Sequence, residues 1–253
     1  MSQPPSFFSV IIPTYNRAHL IGKTINSVLA QDFESIEYIF VDGGSTDGTL
    51  ERIAAIPREV KVLHNVSGGI AKAMNAGIQA ATGDVVAHLH SDDYYQSIDV
   101  LTKVAKEFER TQNKWLFGRV KFDVNGVIAS EGYEVPRYSY RKLLMRNFIP
   151  HPATFIRREV FDKCGLFDEK LRYAMDYEFW LRIGRIHTPL QLDDYFVVFR
   201  RHAGSATQAN FLQSFNEDFK VRWGFASWLQ MPEVMARYMV RRYRLNLSGV
   251  RDA

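Results

Sequence analysis

An α/β fold is predicted from this sequence, with a Rossmann-like, mostly parallel central sheet flanked by helices and a smaller antiparallel and helical part after it. Two observations carry that prediction. Short apolar runs alternate with amphipathic stretches through the first hundred residues, the pattern of βαβ units. Each run then breaks into a loop rich in Gly, Asp, Asn, Ser or Thr, and ligands of open parallel sheets collect at such strand ends.

The elements follow in order. Phe8–Ile12 is a continuous apolar run ended by Pro13, as expected of a strand buried on both faces. In His19–Ala30, residues Leu20, Ile21, Ile25, Val28 and Leu29 form the stripe of an amphipathic helix. Tyr38–Val41 makes a second strand, halted by Asp42-Gly43-Gly44, and Asp47-Gly48 leads into a helix over Thr49–Ile56. Val60–Leu63 is a third strand, Ala71–Ala80 a helix of small residues, and Asp84–Leu89 a fourth strand beyond Gly83. A helix over Asp99–Arg110 ends this half, and the periodicity then loosens. Trp115–Phe122 and Gly126–Ile128 are predicted as a hairpin around Val124-Asn125-Gly126 and Tyr138–Phe148 as a helix. Ala153–Ile156 follows as a strand, Arg158–Cys164 and Tyr177–Ile183 as helices, and Tyr195–Phe199 as a last strand.

At 253 residues, 46% of them hydrophobic, the chain can bury a sizeable core, which excludes a largely disordered protein. Its one cysteine, Cys164, excludes an intramolecular disulfide framework and suits a reducing compartment, so a cytoplasmic location is expected. No stretch approaches the ~20 apolar residues of a membrane span, and the first residues lack the basic flank and apolar run of a signal peptide. The net charge of +4 is scattered and accompanies no nucleic-acid-binding motif, so nucleic acid is not an expected partner. The exception is PEVMARYMVRRYR, residues 232 to 244, which sets Arg237, Arg241 and Arg244 at helical spacing with Val234, Met235, Tyr238 and Met239 on another side. Such a helix either packs on its own domain or lies on an anionic membrane surface.

The loops carry the chemistry. In PTYNR, Tyr15 offers a ring to stack on a base and Thr14 and Asn16 offer hydrogen bonds, although an ordinary turn also favours these residues. In VDGGSTDGT, Asp42 stands at a strand end, where a carboxylate accepts from a nucleobase or ribose, and glycines let backbone approach a ligand. Asp47 and Thr49 suit a helix cap. Neither common phosphate-loop pattern is present, which argues against nucleotide hydrolysis and dinucleotide binding. Gly68 and Gly69 precede a helix whose N-terminus suits phosphate, with Lys72, Asn75 and Gln79 along it, while Ala71, Ala76 and Gly77 equally suit close packing.

VVAHLHSDDYY admits two chemistries. If the strand runs on, His88, His90 and Asp92 share a face, a pattern similar to the zinc-binding opening of metallo-β-lactamase-like hydrolases, except that Asp93 stands where a histidine follows. If the strand ends at His90, Ser91-Asp92-Asp93 is a loop of hard oxygen ligands suited to Mg²⁺ or Mn²⁺ on a diphosphate.

VIIPTYNR, FVDGGSTDGT, NAGIQAATGD and HLHSDD, in this order and at these separations, resemble the nucleotide-sugar-binding half of family 2 inverting glycosyltransferases, which have the GT-A fold. HPATFIRREVFDKCGLFDE, MDYEFWLR and FRRHAGSAT extend the resemblance over roughly residues 8 to 207. It implies a UDP-sugar or similar donor held by Pro13, Thr14, Tyr15, Asn16, Asp42, Gly44, Lys72, Asn75, Asp92 and Arg201. It also implies a divalent metal, Mn²⁺ or Mg²⁺, on Asp93, with His202 near the metal or diphosphate. Asp176 matches the aspartate of the family's Glu-Asp motif and is implied as catalytic base, whereas Met175 stands where Glu is common. Trp180 and Arg182 would form the packing and solvent sides of its helix, and His151 and Glu178, which face the acceptor cleft by resemblance alone, are expected to be structural.

On this basis residues 1–110 would bind the nucleotide-sugar, 111–210 the acceptor and base, and 211–253 would form a helical tail. The expected activity moves a sugar to a hydroxyl of a glycan or lipid-linked acceptor with inversion, in bacterial surface-polysaccharide synthesis at the inner face of the membrane. Its rivals are a zinc hydrolase built on His88 and His90, and a nucleotide-sugar-binding protein without turnover.

Overall fold

The computed structural model describes residues 8–129, 135–201 and 210–247. Nine strands form one sheet: β1 (Phe8–Thr14), β2 (Ile36–Asp42), β3 (Lys61–Leu63), β4 (Val85–His88), β5 (Tyr94–Tyr95), β6 (Trp115–Val124), β7 (Val127–Ala129), β8 (Thr154–Arg157) and β9 (Leu190–Arg201). Their order is β3-β2-β1-β4-β8-β6-β9-β5, with β7 on β6. The first four pair in parallel, as the alternating sequence predicts; β8 and β6 then run antiparallel, and β9 returns parallel to β6. Thr14 pairs with Asp42, so the loops after β1 and β2 leave the sheet side by side.

Every residue of β1 is buried, and its side chains divide by the period of two. Ile11 joins one core with Met74, Trp115 and Trp180, while Val10 and Ile12 join the other with Ile25, Leu101 and Phe108. The second face is covered by α1 (Ile21–Leu29), α2 (Thr49–Ala54) and α4 (Val100–Arg110). The first carries α3 (Ile70–Ala80), α5 (Tyr140–Met145), α6 (Glu159–Cys164), α7 (Met175–Gly184), α8 (Phe211–Phe225) and α9 (Met231–Leu247). Gly77 lets α3 lie on β1: a Cβ there would meet Ile11 Cγ2 at 2.3 Å. The β6–β7 turn forms as expected, with Asn125 and Gly126 at φ of 53° and 88°, the pair of positive angles that a two-residue hairpin needs.

Several elements differ from expectation, among them β5, a two-residue strand where none is predicted. β9 starts at Leu190, not Tyr195, because pairing with β6 carries the exposed Asp193 and Asp194 within a strand. α5 covers only Tyr140–Met145: Ser139 Oγ accepts from Lys142 N–H at 3.2 Å, and Arg146 returns to extended backbone. α8 falls within the helical tail expected over 211–253, but no separate helix with these bounds is read from the sequence.

Candidate active site

The first two loops are stitched to each other. Asn16, at φ 49°, donates its N–H to Ser45 Oγ and accepts from Thr46 N–H with Oδ1, both at 2.9 Å. Asp47 accepts from Ala18 N–H at 3.0 Å and from Thr49 N–H at 3.1 Å, so it joins both loops besides starting α2. Asp42 is 1% exposed, and its carboxylate accepts from Gly44 N–H at 2.9 Å and Ser45 N–H at 3.0 Å. It therefore shapes the loop from within. Pro13 and Thr14 are buried at the strand end, whereas Tyr15 is 57% exposed and rests on Gly43, where a Cβ would come within 3.2 Å of its ring.

On α3, Lys72 is exposed at the first turn. Asn75 is 4% exposed and turned away from the loops, its amide donating to Phe167 O and Glu169 Oε1 and accepting from Phe167 N–H. Those three bonds commit it to packing α3 on the segment before α7.

β4 stops at His88, which separates the two histidines. His88 is 2% exposed among His151, Phe161 and Phe167, and burial drives its imidazolium pKa down to about 3. Beyond it the chain turns, with Asp93 N–H donating to His90 O and Thr24 Oγ1 on α1 donating to Ser91 O and Asp93 O. His90, Asp92 and Asp93 thereby bring ligand atoms within 4.8 Å of one another, and among the described residues no other three His, Cys, Asp or Glu do so. The zinc pattern of His88 with His90 and Asp92 is thus not formed. Asp93 is 1% exposed; its Oδ1 accepts from Arg200 N–H at 3.0 Å, and its buried Oδ2 has no partner. Burial, then the neighbouring Asp92 charge, raises its pKa well above the usual carboxylate range.

Arg200 turns its side chain toward Asp123, Nε to carboxylate 3.9 Å, and Arg201 lies exposed with its guanidinium 3.9 Å from the Phe122 ring centre. Both leave β9 at the edge of an open cavity of about 360 Å³ that His19, Lys23 and Arg52 also line. His202 lies outside the described residues.

Asp176 sits in the first turn of α7, whose N-cap is Ala174, so it is not the cap of that helix. Its Oδ1 accepts from Tyr177 N–H at 2.6 Å and Asn147 hydrogen-bonds its side chain. Burial nevertheless pushes its pKa up to about 7, with the Asp218 charge adding to the rise. Glu178 and Arg182 pair at 2.6 Å, and Arg182 also donates to Leu166 O at 2.8 Å; this corrects the solvent-facing role expected of Arg182, which ties α7 to the end of α6. A row of rings links the two carboxylate sites: His90 lies 5.5 Å from His151, and His151 lies 5.6 Å from Trp180, one turn along α7 from Asp176.

Sequence reading missed the groups that build this second site. Glu217 on α8 accepts from the N–H groups of Arg172, Tyr173 and Ala174, the amides that lead into α7. Arg222, 7% exposed, donates to Met145 O and pairs with Asp218 at 3.3 Å. No local signal marks them, since each acts on a segment far away in the chain.

The α/β sheet thus carries an acidic cluster at its strand ends and, on a neighbouring helix, a carboxyl whose pKa is raised to about 7. Comparison with known proteins gives the family: residues 9–165 match the model of Glycosyl transferase family 2, and the chain belongs to that family. An uncharacterized glycosyltransferase of Rickettsia prowazekii, RP339, is 29% identical over 248 residues, covering 90% of this chain and 74% of that protein. S. aureus TarS 1–349, solved in complex with UDP-GlcNAc, superposes with a TM-score of 0.73 at 23% identity over 94% of this chain and 73% of TarS 1–349. The Pyrobaculum calidifontis mannosyltransferase PcManGT, solved with GDP-Man and Mn²⁺, gives 0.65 at 19% identity over 99% of this chain and 77% of that one. The fold is accordingly GT-A, and the chain is a glycosyltransferase.

Proposed function

We propose that this glycosyltransferase moves a sugar from a UDP-sugar to an acceptor hydroxyl with inversion, assisted by Mn²⁺ or Mg²⁺. The observation that carries it is the conjunction of the His90-Asp92-Asp93 cluster with Asp176, whose pKa is raised to about 7, joined by the His151–Trp180 row. A carboxylate with the ordinary value of 3.8 is a weak base toward a hydroxyl; one raised to about 7 accepts a proton far better near neutral pH. Asp176 in this role takes the acceptor hydroxyl's proton as its oxygen bonds the anomeric carbon and the bond from that carbon to the UDP phosphate oxygen breaks, so UDP leaves and a single displacement inverts the anomeric centre.

The cluster fits a hard divalent cation. It offers one imidazole and two carboxylates, and the unpartnered Oδ2 of Asp93 is a buried acceptor that a cation would satisfy. When bound, such a metal supplies positive charge to the leaving diphosphate. Tyr15 is exposed to stack on the base, Lys72 and Arg201 are exposed to meet phosphate, and Asp42 acts by holding the Gly44–Ser45 backbone in place. The UDP-GlcNAc and Mn²⁺ complexes of TarS and PcManGT support the donor and metal classes, and GDP-mannose is the donor to test as rival. The acceptor in this proposal is a glycan or lipid-linked sugar of a surface polysaccharide, met at the cytoplasmic face of the membrane.

Thermal shift and turnover assays over a panel of UDP- and GDP-sugars test the proposal. Asp176→Asn is expected to keep donor-dependent stabilisation with Mn²⁺ while turnover falls by about 10²–10⁴-fold. Asp93→Ala is expected to lose the metal-dependent part of donor binding. Donor affinity that is equal with and without metal overturns the metal assignment, unchanged turnover in Asp176→Asn overturns the base, and a product with the donor's anomeric configuration overturns inversion.

A further inference from the structure

We propose that the outward face of α9 is an interfacial anchor that seats the protein on an anionic bilayer. The sequence grouped Val234, Met235, Tyr238 and Met239 on one side, but the structure divides them. Val234 is 2% exposed, Tyr238 stacks on Phe219 with ring centres 4.0 Å apart, and Arg241 lies over the Phe215 ring at 5.3 Å; these mark the inward face. At about 100° per residue, the opposite stripe consists of Pro232, Ala236, Met239, Val240 and Tyr243. It carries no charge. Met239, Val240 and Tyr243 are 58%, 52% and 66% exposed, and the connection from α8 adds Trp228 at 77% and Leu229 at 69%. Glu233, paired with Arg237 at 3.0 Å, borders the stripe on one side with Arg244 and Arg237 beyond it, and Arg242 lies on the other side past Met235.

A helix on a soluble protein buries its apolar stripe and turns its polar one to water. Here the stripe facing water is apolar, flanked by charged residues of which all but Glu233 are arginines, with a tryptophan and a tyrosine exposed beside it. That is the arrangement of a helix lying in the headgroup plane, its apolar side chains in the acyl boundary and its cations reaching anionic headgroups. No described helix is long and apolar enough to cross a membrane, so the contact is peripheral. Charge selects lipid over a second copy of the chain. The helix carries four arginines against one glutamate, a net positive charge that a second copy of the chain would repeat and that anionic lipid would neutralise. Nothing in this surface depends on the transferase chemistry.

Sedimentation of the full chain with vesicles of phosphatidylcholine alone, or mixed with phosphatidylglycerol, tests the assignment. The wild type is expected to pellet with the anionic vesicles only, less so at high salt. The Met239→Asp/Val240→Asp double variant is expected to stay in the supernatant with its circular dichroism unchanged, because both positions face solvent. Removing Arg237 or Arg244 as Arg→Gln should weaken binding roughly fivefold each. The blue shift of tryptophan emission on adding anionic vesicles should shrink in Trp228→Phe. Equal pelleting of the wild type and the double variant, no pelleting of either, or a solution dimer that the double variant converts to monomer would each overturn the proposal.

Discussion

Asp176 is legible in the sequence as an acid before a helix, but its strength is not. Its pKa depends on burial against groups that arrive from elsewhere, Asn147 and Asp218 among them, and no local motif encodes that environment. The raised value fixes the sign of two pH effects. Catalysis that needs the carboxylate should rise with pH and level off above about 7, falling about tenfold for each pH unit below it. Stability runs the other way: with a folded pKa above the ordinary 3.8, this group's contribution is fully present below that value and is lost as pH rises through about 7. Asp176→Asn should therefore match the wild type's stability near pH 4 and exceed it at pH 8, by at most about 4 kcal/mol, which appears as a higher melting temperature. Melting curves at the two pH values check this, and an equal shift at both would show that the effect is not one of charge. The histidines before the acidic pair teach the complementary lesson. Alternation puts His88 and His90 on one face only while the strand continues, and β4 ends at His88.

At the scale of elements, continuous apolar runs such as β1 and β2 were readable because strands covered on both faces have no polar side to interrupt the pattern. α8 was not. Its sequence scatters apolar residues without a clean stripe, and its inward side carries Arg222, which burial against Met145 O and Asp218 makes a core residue. Its most consequential side chain, Glu217, accepts from three amides ahead of α7 that would otherwise turn to water. Glu217→Ala should cost about 1–3 kcal/mol, read as a lower urea midpoint with unchanged slope. Because α7 carries Asp176, kcat should fall while donor affinity holds. A loss confined to donor affinity would place Glu217's influence at the strand-end loops instead.

For the whole molecule, the expected division into a donor half, an acceptor half and a helical tail meets a core that runs across the last boundary. Val221 and Val234 belong to the same buried cluster as Ile11 and Trp180, and Phe219 packs on it. Two buried apolar side chains, the amides capped by Glu217 and the Arg222 bond to Met145 O together amount to an interaction on the order of 5 kcal/mol. That is comparable to the entire stability of many domains. A chain ending at residue 209 is therefore expected to lose the cooperative urea transition of the full protein, to show weakened near-UV circular dichroism, and to have no measurable turnover. The strand-end loops, built mainly from β1, β2 and β4, would be left beside an α7 whose leading amides have lost Glu217 and must turn to water. If the shortened chain instead unfolds at the full-length midpoint, α8 and α9 are an appendage, and the positioning of Asp176 rests on Asn147 and the packing of Trp180 alone.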